Sequence, residues 1–195
     1  MSKLLSKIML SFLLAFSLLV IPINEAKAQP QPEQLGEIVQ EIESLDAMRS
    51  SLAGTLEGTD ETPTLETFKE VCKPVGMRAK KLSQENPWEV KQVAEKYRNP
   101  AHAPTAKEAI ALEKFANNPD LFGFWETADQ ETYYYRRINV EATCLKCHGM
   151  KSERPEFVTQ RYPEDKAYDF SVGDLRGMYR VVIPEVKAQI QAALN

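Results

Sequence analysis

Histidine and cysteine are scarce in this 195-residue chain: it has two of the first and three of the second. A tight grouping of both types is therefore not expected by accident. Basic residues are outnumbered by acidic ones, 24 against 28, for a formal charge of −4, so there is no electrostatic footprint for nucleic acid. Beyond the N-terminus no segment is long and apolar enough to cross a bilayer. No internal repeat is visible, which excludes a fold made by stacking copies of one unit.

What is present begins with a leader. Lys3 and Lys7 form a positive n-region, and Ile8 to Ile23 is almost wholly apolar, though broken by Pro22. Ala26-Lys27-Ala28 places small residues for cleavage before Gln29. Residues 1–28 are expected to be a signal peptide, leaving no membrane span once removed. Export would be to the periplasm, or to the thylakoid lumen in a photosynthetic host. Loss of three lysines and one glutamate leaves the remainder more acidic, which favours solubility or a basic docking partner.

The scarce residues converge at Cys144-Leu145-Lys146-Cys147-His148. This Cys-x-x-Cys-His spacing is the attachment site of a c-type haem. A random match is expected in roughly one chain of this composition in two thousand. The thiols of Cys144 and Cys147 can form thioethers, and His148 is then held beneath the iron as an axial ligand. Attachment needs reduced thiols outside the cytoplasm, so leader and motif support each other. Two other readings exist. Cys72, Cys144, Cys147 and His148 would make a three-cysteine, one-histidine zinc tetrad, but a histidine directly after a cysteine is not the usual chelating spacing. A redox dithiol leaves His148-Gly149 unexplained. The expected cofactor is one covalent haem c.

The rest of the chain reads as helices first and strands afterwards. Gln29 to Gln34 is a flexible lead, and Leu35, Ile38, Val39, Ile42, Leu45, Met48 and Leu52 mark an amphipathic helix. Together these make an N-terminal segment over residues 29–63, ahead of a haem-binding domain over 64–195. Thr62-Pro63 starts a second helix, which should kink near Cys72 because Pro74 lacks an amide hydrogen. Asn86-Pro87-Trp88-Glu89 and Thr105-Ala106-Lys107-Glu108 read as two further helix starts. Leu121 to Thr127, Thr132 to Val140 and Leu175 to Ile183 read as strands, with a short helix after Pro184. That order predicts an α+β fold with an antiparallel sheet.

The second axial ligand is open on these grounds among Cys72, His102, Met77, Met150 and Met178. Cys72 is favoured as the one cysteine that attachment does not consume. Arg98, Arg136 and Arg137 are candidates for holding the haem propionates, since guanidinium matches carboxylate geometry. Tyr133 and Tyr135 share one strand face and Tyr134 the other, so one set is available to the pocket or to ordinary packing.

Cys72 in a helix, Tyr97-Arg98-Asn99-Pro100-Ala101-His102-Ala103-Pro104, the haem box and Asp174-Leu175-Arg176-Gly177 together resemble a family of bacterial single-haem c-type proteins with a PAS-like fold. The resemblance spans roughly Thr64 to Ile183. It implies a PAS-like antiparallel sheet with N-terminal helices packed around one covalent haem, and ligation of iron by His148 and Cys72. His102 is a departure, standing where that family usually has asparagine. The family occurs as exported stand-alone proteins and as sensing domains of signalling proteins. It therefore implies a redox or diatomic-gas sensing module with an unidentified signalling or redox partner. No output domain follows the haem box, which keeps a low-potential c-type electron carrier as the alternative. Two axial protein ligands leave no open iron position, so an enzyme is not expected.

Overall fold

The computed structural model describes residues 32–128 and 131–184. The expected signal peptide, the C-terminal helix after Pro184 and the centre of the turn at 129–130 lie outside the described residues.

The chain is α+β. Helix α1 (Pro32–Gly54) takes in the end of the stretch expected to be a flexible lead. Helix α2 (Leu65–Val71) begins two residues later than the Thr62-Pro63 signal suggested. Thr64 is its cap, accepting from the Thr67 amide while Thr67 answers the Thr64 amide. Cys72 closes α2 and opens α3 (Lys73–Glu85), whose first turn holds Pro74. The expected kink is therefore at Cys72 itself.

Residues after Asn86-Pro87 form strand β1 (Glu89–Val93), not the helix expected there. Asn86 caps backwards instead of forwards: its Nδ2 donates to the Leu82 carbonyl at 3.0 Å, closing α3. Trp88, Val90 and Val93 are buried, and the Val90 amide donates to Ser83 Oγ at 2.8 Å, tying the strand to α3. Helix α4 (Ala106–Asn117) carries the expected capping box of Thr105 and Glu108.

Strands β2 (Gly123–Ala128), β3 (Glu131–Asn139) and β4 (Leu175–Ile183) fall close to their expected positions. With β1 they form one antiparallel sheet in the order β1-β4-β3-β2, four strands where three were expected. The haem box lies between β3 and β4, on a short helix α5 (Leu145–His148) entered through a 3-10 turn. Helix α6 (Glu156–Arg161) follows.

Side-chain alternation splits the core into two layers. Tyr134, Ile138, Tyr179, Val181 and Ile183 face α1 and α3, packing against Ile38, Ile42, Leu45 and Leu82. Tyr133, Tyr135, Met178 and Val182 face α4, against Ala111, Leu112 and Phe115. Helix α1 thus belongs to the same core as the sheet. A third, smaller cluster of Val140, Ala167 and Phe170 lies against Cys144 and Leu145 and seats the haem box.

The pairing of β3 with β4 has one irregularity. Ile138 pairs with Gly177 and Asn139 with Leu175, so Arg176 has no partner on β3 and forms a β-bulge. Gly177 adopts φ +154°, and a Cβ there would lie 2.4 Å from the Val93 carbonyl oxygen. Only glycine permits this approach of β4 to β1.

Candidate functional site

A cavity of about 440 Å³ opens between α1, the α2–α3 junction, the end of β1 with the loop after it, and α5. That volume is within the ~300–1,000 Å³ of small-molecule and cofactor sites. Cys72, Cys144, Cys147 and His148 all line it, as do Arg98, His102 and Met77. Phe68, Val71, Val75, Ile138 and Tyr162 give it apolar walls.

His148 is set by its surroundings. Its Nδ1 lies 2.8 Å from the Ala167 carbonyl oxygen, which only accepts, so Nδ1 carries the proton and donates. The Arg98 Nη2 is 3.4 Å from the same nitrogen, and two donors cannot bond each other, so that approach is a contact and not a hydrogen bond. Burial pushes the imidazole pKa well below its ordinary value, and Arg176 and Arg98 push it further. The ring is neutral, and Nε2 keeps a lone pair, the state a metal ligand requires.

Arg98 is the brace behind it. Its Nη2 donates to the Cys147 carbonyl at 2.6 Å and to the Ala167 carbonyl at 3.3 Å, and its Nε pairs with Asp165 at 3.2 Å. Asp165 is fully buried, pairs also with Arg154 at 3.2 Å, and accepts from the Ala167 amide at 3.0 Å. One carboxylate therefore positions the arginine that holds the Cys147 backbone and the carbonyl that orients His148.

Gly149 ends the box. Its amide donates to the Leu145 carbonyl at 2.8 Å, and a Cβ there would come within 2.6 Å of that oxygen. Cys147 is half-buried, and burial lifts its thiol to about 11 against the pull of Arg98. Arg49 on α1 approaches Cys144 Sγ at 4.0 Å while its charge is met by Asp46 and Glu141, each at 2.7 Å.

Cys72 is not packed into the apolar core. Its surface is exposed to the cavity at the helix break, with protein around it on the other sides. Burial raises its thiol pKa, with Arg98 the largest opposing influence. The other ligand candidates separate clearly. His102 and Met77 line the cavity; Met178 is fully buried behind the sheet with α4, and Met150 is exposed away from the cavity lining. Among the described residues no group of three or more His, Cys, Asp or Glu is close enough to hold a metal ion, so the zinc tetrad is not assembled.

Two of the three arginines expected at the propionates are elsewhere. Strand alternation sends Arg136 to α1, where it pairs with Glu43 and Asp46 at 2.9 Å, and Arg137 to α4, where Nη1 donates to the Phe115 carbonyl at 2.7 Å. Neither lines the cavity. Nor do Tyr133, Tyr134 and Tyr135, all of which serve the two core layers. In their place the fold brings Arg49 and Arg176 to the cavity wall. Arg176 belongs to the Asp174-Leu175-Arg176-Gly177 motif, but no periodicity signals that a bulge would turn its side chain.

The Tll0287-like family model matches residues 27–184. The crystal structure of the cyanobacterial heme-protein Tll0287 is 57% identical to this chain, covers 80% of it and 97% of itself, and superposes with a TM-score of 0.74. No curated protein sequence matches. A family match that runs through the helices, the sheet and the cavity wall, with a neighbour 57% identical, makes this chain a member of the Tll0287-like family.

Proposed function

We propose that this chain carries one haem c, which Cys144 and Cys147 would hold through thioethers and whose iron His148 and Cys72 would ligate. The observation that carries the reading is the convergence of both box cysteines, a neutral His148 with Nε2 free, and Cys72 on one cavity. The donor set fits the group: two thiols for attachment, an imidazole for iron, a further sulfur from another element, apolar walls, and buried guanidinium charge suited to carboxylates. The 57% identical neighbour is a heme-protein, which supports the same group.

When bound, haem supplies a redox-active iron whose potential and ligand access depend on its axial ligands. The chain's residues supply the rest. Ala167 fixes the His148 tautomer, Arg98 holds the Cys147 backbone, and the α2–α3 break presents Cys72. An anionic sulfur ligand favours ferric iron, so the midpoint potential is expected to be low. Cys72, exposed at the helix break and not packed into the core, would be the sulfur able to yield its place to a diatomic ligand, and we read the protein as an exported redox or diatomic-gas sensing module.

A second reading, electron carriage, is favoured by Lys73 and Lys80, which are exposed and line the cavity: they give this face a local positive charge on an otherwise acidic chain, suited to an acidic patch on a redox partner.

The test is the holoprotein made in a host that matures c-type cytochromes, examined by intact mass, absorption and EPR. The expected result is the polypeptide mass plus one haem, a Soret band, and a low-spin ferric spectrum with sulfur character. Cys72→Ala should change that spectrum and raise the midpoint potential; an unchanged spectrum removes Cys72 as ligand. A mass equal to the amino acids alone overturns the whole reading. Binding of CO or NO by the ferrous protein favours sensing, whereas inert iron with fast electron exchange favours carriage.

A further inference from the structure

Three guanidinium groups reach the cavity, and their electrostatic situations differ. Arg49 is paired with Asp46 and Glu141, and Arg98 with Asp165. Arg176 has no such partner: no carboxylate of the described residues pairs with it. Its Nη1 donates to the Lys96 carbonyl at 3.1 Å, and its guanidinium carbon sits 5.5 Å from the centre of the Phe170 ring. Its remaining N–H groups are left for the cavity that it lines.

This placement is built into the fold. Arg176 is the unpaired residue of the β4 bulge, next to Gly177, whose missing side chain lets β4 close on Val93. A bulge re-aims one side chain out of the regular alternation. Burial, reinforced by Arg98, lowers the pKa of Arg176 to about 10. Asp165 offsets part of this charge, but it is already paired with Arg98 and Arg154, so this end of the cavity holds more positive than negative charge until its occupant supplies some.

We infer that Arg176 binds a propionate carboxylate of the haem, as the anchor specific to that end of the group. The inference rests on the haem reading above and adds to it the residue that recognises the carboxylate. Charge balance selects the propionate over the other available anion, the Cys72 thiolate. A thiolate on ferric iron has its charge offset by the metal, whereas ionised propionates retain theirs. Guanidinium also matches a carboxylate in a two-pronged geometry that a single sulfur cannot use. Exposed Lys73 and Lys80 have water for their charges and need no such partner.

The experiment compares holoprotein of the native chain, Arg176→Gln and Arg176→Lys by intact mass, resonance Raman, EPR and potentiometry. The expected result is full haem mass in all three, with the propionate bending band displaced in Arg176→Gln and largely restored in Arg176→Lys. The midpoint potential should move downward in Arg176→Gln, since removing a nearby positive charge favours ferric iron, while the EPR pattern of the axial ligands stays native. An unmoved propionate band in Arg176→Gln overturns the assignment. So does an altered EPR pattern with an unmoved band, which would place the guanidinium on Cys72 instead. If Arg176→Gln does not accumulate, Arg176→Lys is read alone: a small displacement of the propionate band with a native EPR pattern supports the assignment, and an unmoved band or an altered EPR pattern overturns it. Absence of haem mass in the native chain sinks the underlying reading instead, so the two failures are distinguishable.

Discussion

Replacing Asp165 by Asn removes one charge and no volume, and it tests whether a single buried carboxylate organises the haem box. Asp165 has no exposed side-chain surface, and it receives Arg98 and Arg154, each at 3.2 Å, and the Ala167 amide at 3.0 Å. Breaking a buried ion pair by removing one partner costs about 3–5 kcal/mol, because the other charge stays behind. Two facts place this case near the lower end. The two arginine side chains keep 11% and 16% of their surface in solvent. Both pairs are also longer than the ~2.7–2.9 Å of the strongest charged hydrogen bonds. The introduced carboxamide can still turn its oxygen to the Ala167 N–H. A cost of about 3 kcal/mol is expected, or roughly 6–12 °C of Tm in a chain of this size. The damage should also reach His148. With Arg98 released, the Cys147 carbonyl loses its 2.6 Å donor, and the loop presenting the Ala167 carbonyl to His148 loosens. Thermal unfolding followed by circular dichroism, with EPR of the ferric protein, reads both effects. A Tm loss under about 3 °C with an unchanged EPR spectrum would refute the claim that Asp165 positions this site.

Glu108 accepts from the Thr105 amide at 2.8 Å, Arg180 at 3.0 Å and Lys91 at 3.3 Å. Burial raises its pKa, but these three donors outweigh burial and hold it below its ordinary value near 4.5. The stability it contributes is thus present above that ordinary value and lost as pH falls through the folded one. Urea midpoints measured against pH should show this acid loss in the native chain and a shallower one in Glu108→Gln. Gly177→Ala puts a methyl group 2.4 Å from the Val93 carbonyl at φ +154°, and should cost at least ~2 kcal/mol in urea unfolding from strain and clash together. Because Arg176 turns on the same bulge, the absorption spectrum of this variant should shift as well; native stability would disprove the close approach. Arg137→Ala removes the donor to the Phe115 carbonyl and should cost about 1–3 kcal/mol. Its midpoint potential should stay native, since Arg137 is not on the cavity wall; a moved potential would contradict that placement.

What could be read from residues alone divides by range. Strand β4 is legible to the residue because Leu175 to Ile183 ends in the β-branched run Val181-Val182-Ile183 and is closed by Pro184, signals that are all local. The capping box at Thr105 and Glu108 was legible for the same reason. Asn86-Pro87 failed because the pair is ambiguous in isolation: an asparagine can cap the helix ahead or close the one behind. The winner was decided by β4, which offered Glu89–Val93 an antiparallel edge some 90 positions away in the chain. The Cys-x-x-Cys-His box stands out because the chemistry proposed for it demands fixed spacing, whereas its electrostatic surroundings have no spacing at all. Arg136 and Arg137 stand close to Cys144 in sequence, yet strand geometry sends neighbouring residues to opposite faces, here to α1 and α4. Arg176 and Arg49 reach the cavity from β4 and α1, through a bulge and a helix crossing that no local pattern records. The side chains proposed to hold the haem are therefore the ones with a local pattern, and the charges around them are placed by tertiary contacts. A sequence pattern can point to ligand candidates of such a site while it misses their counter-charges, because a counter-charge needs only to be near in space.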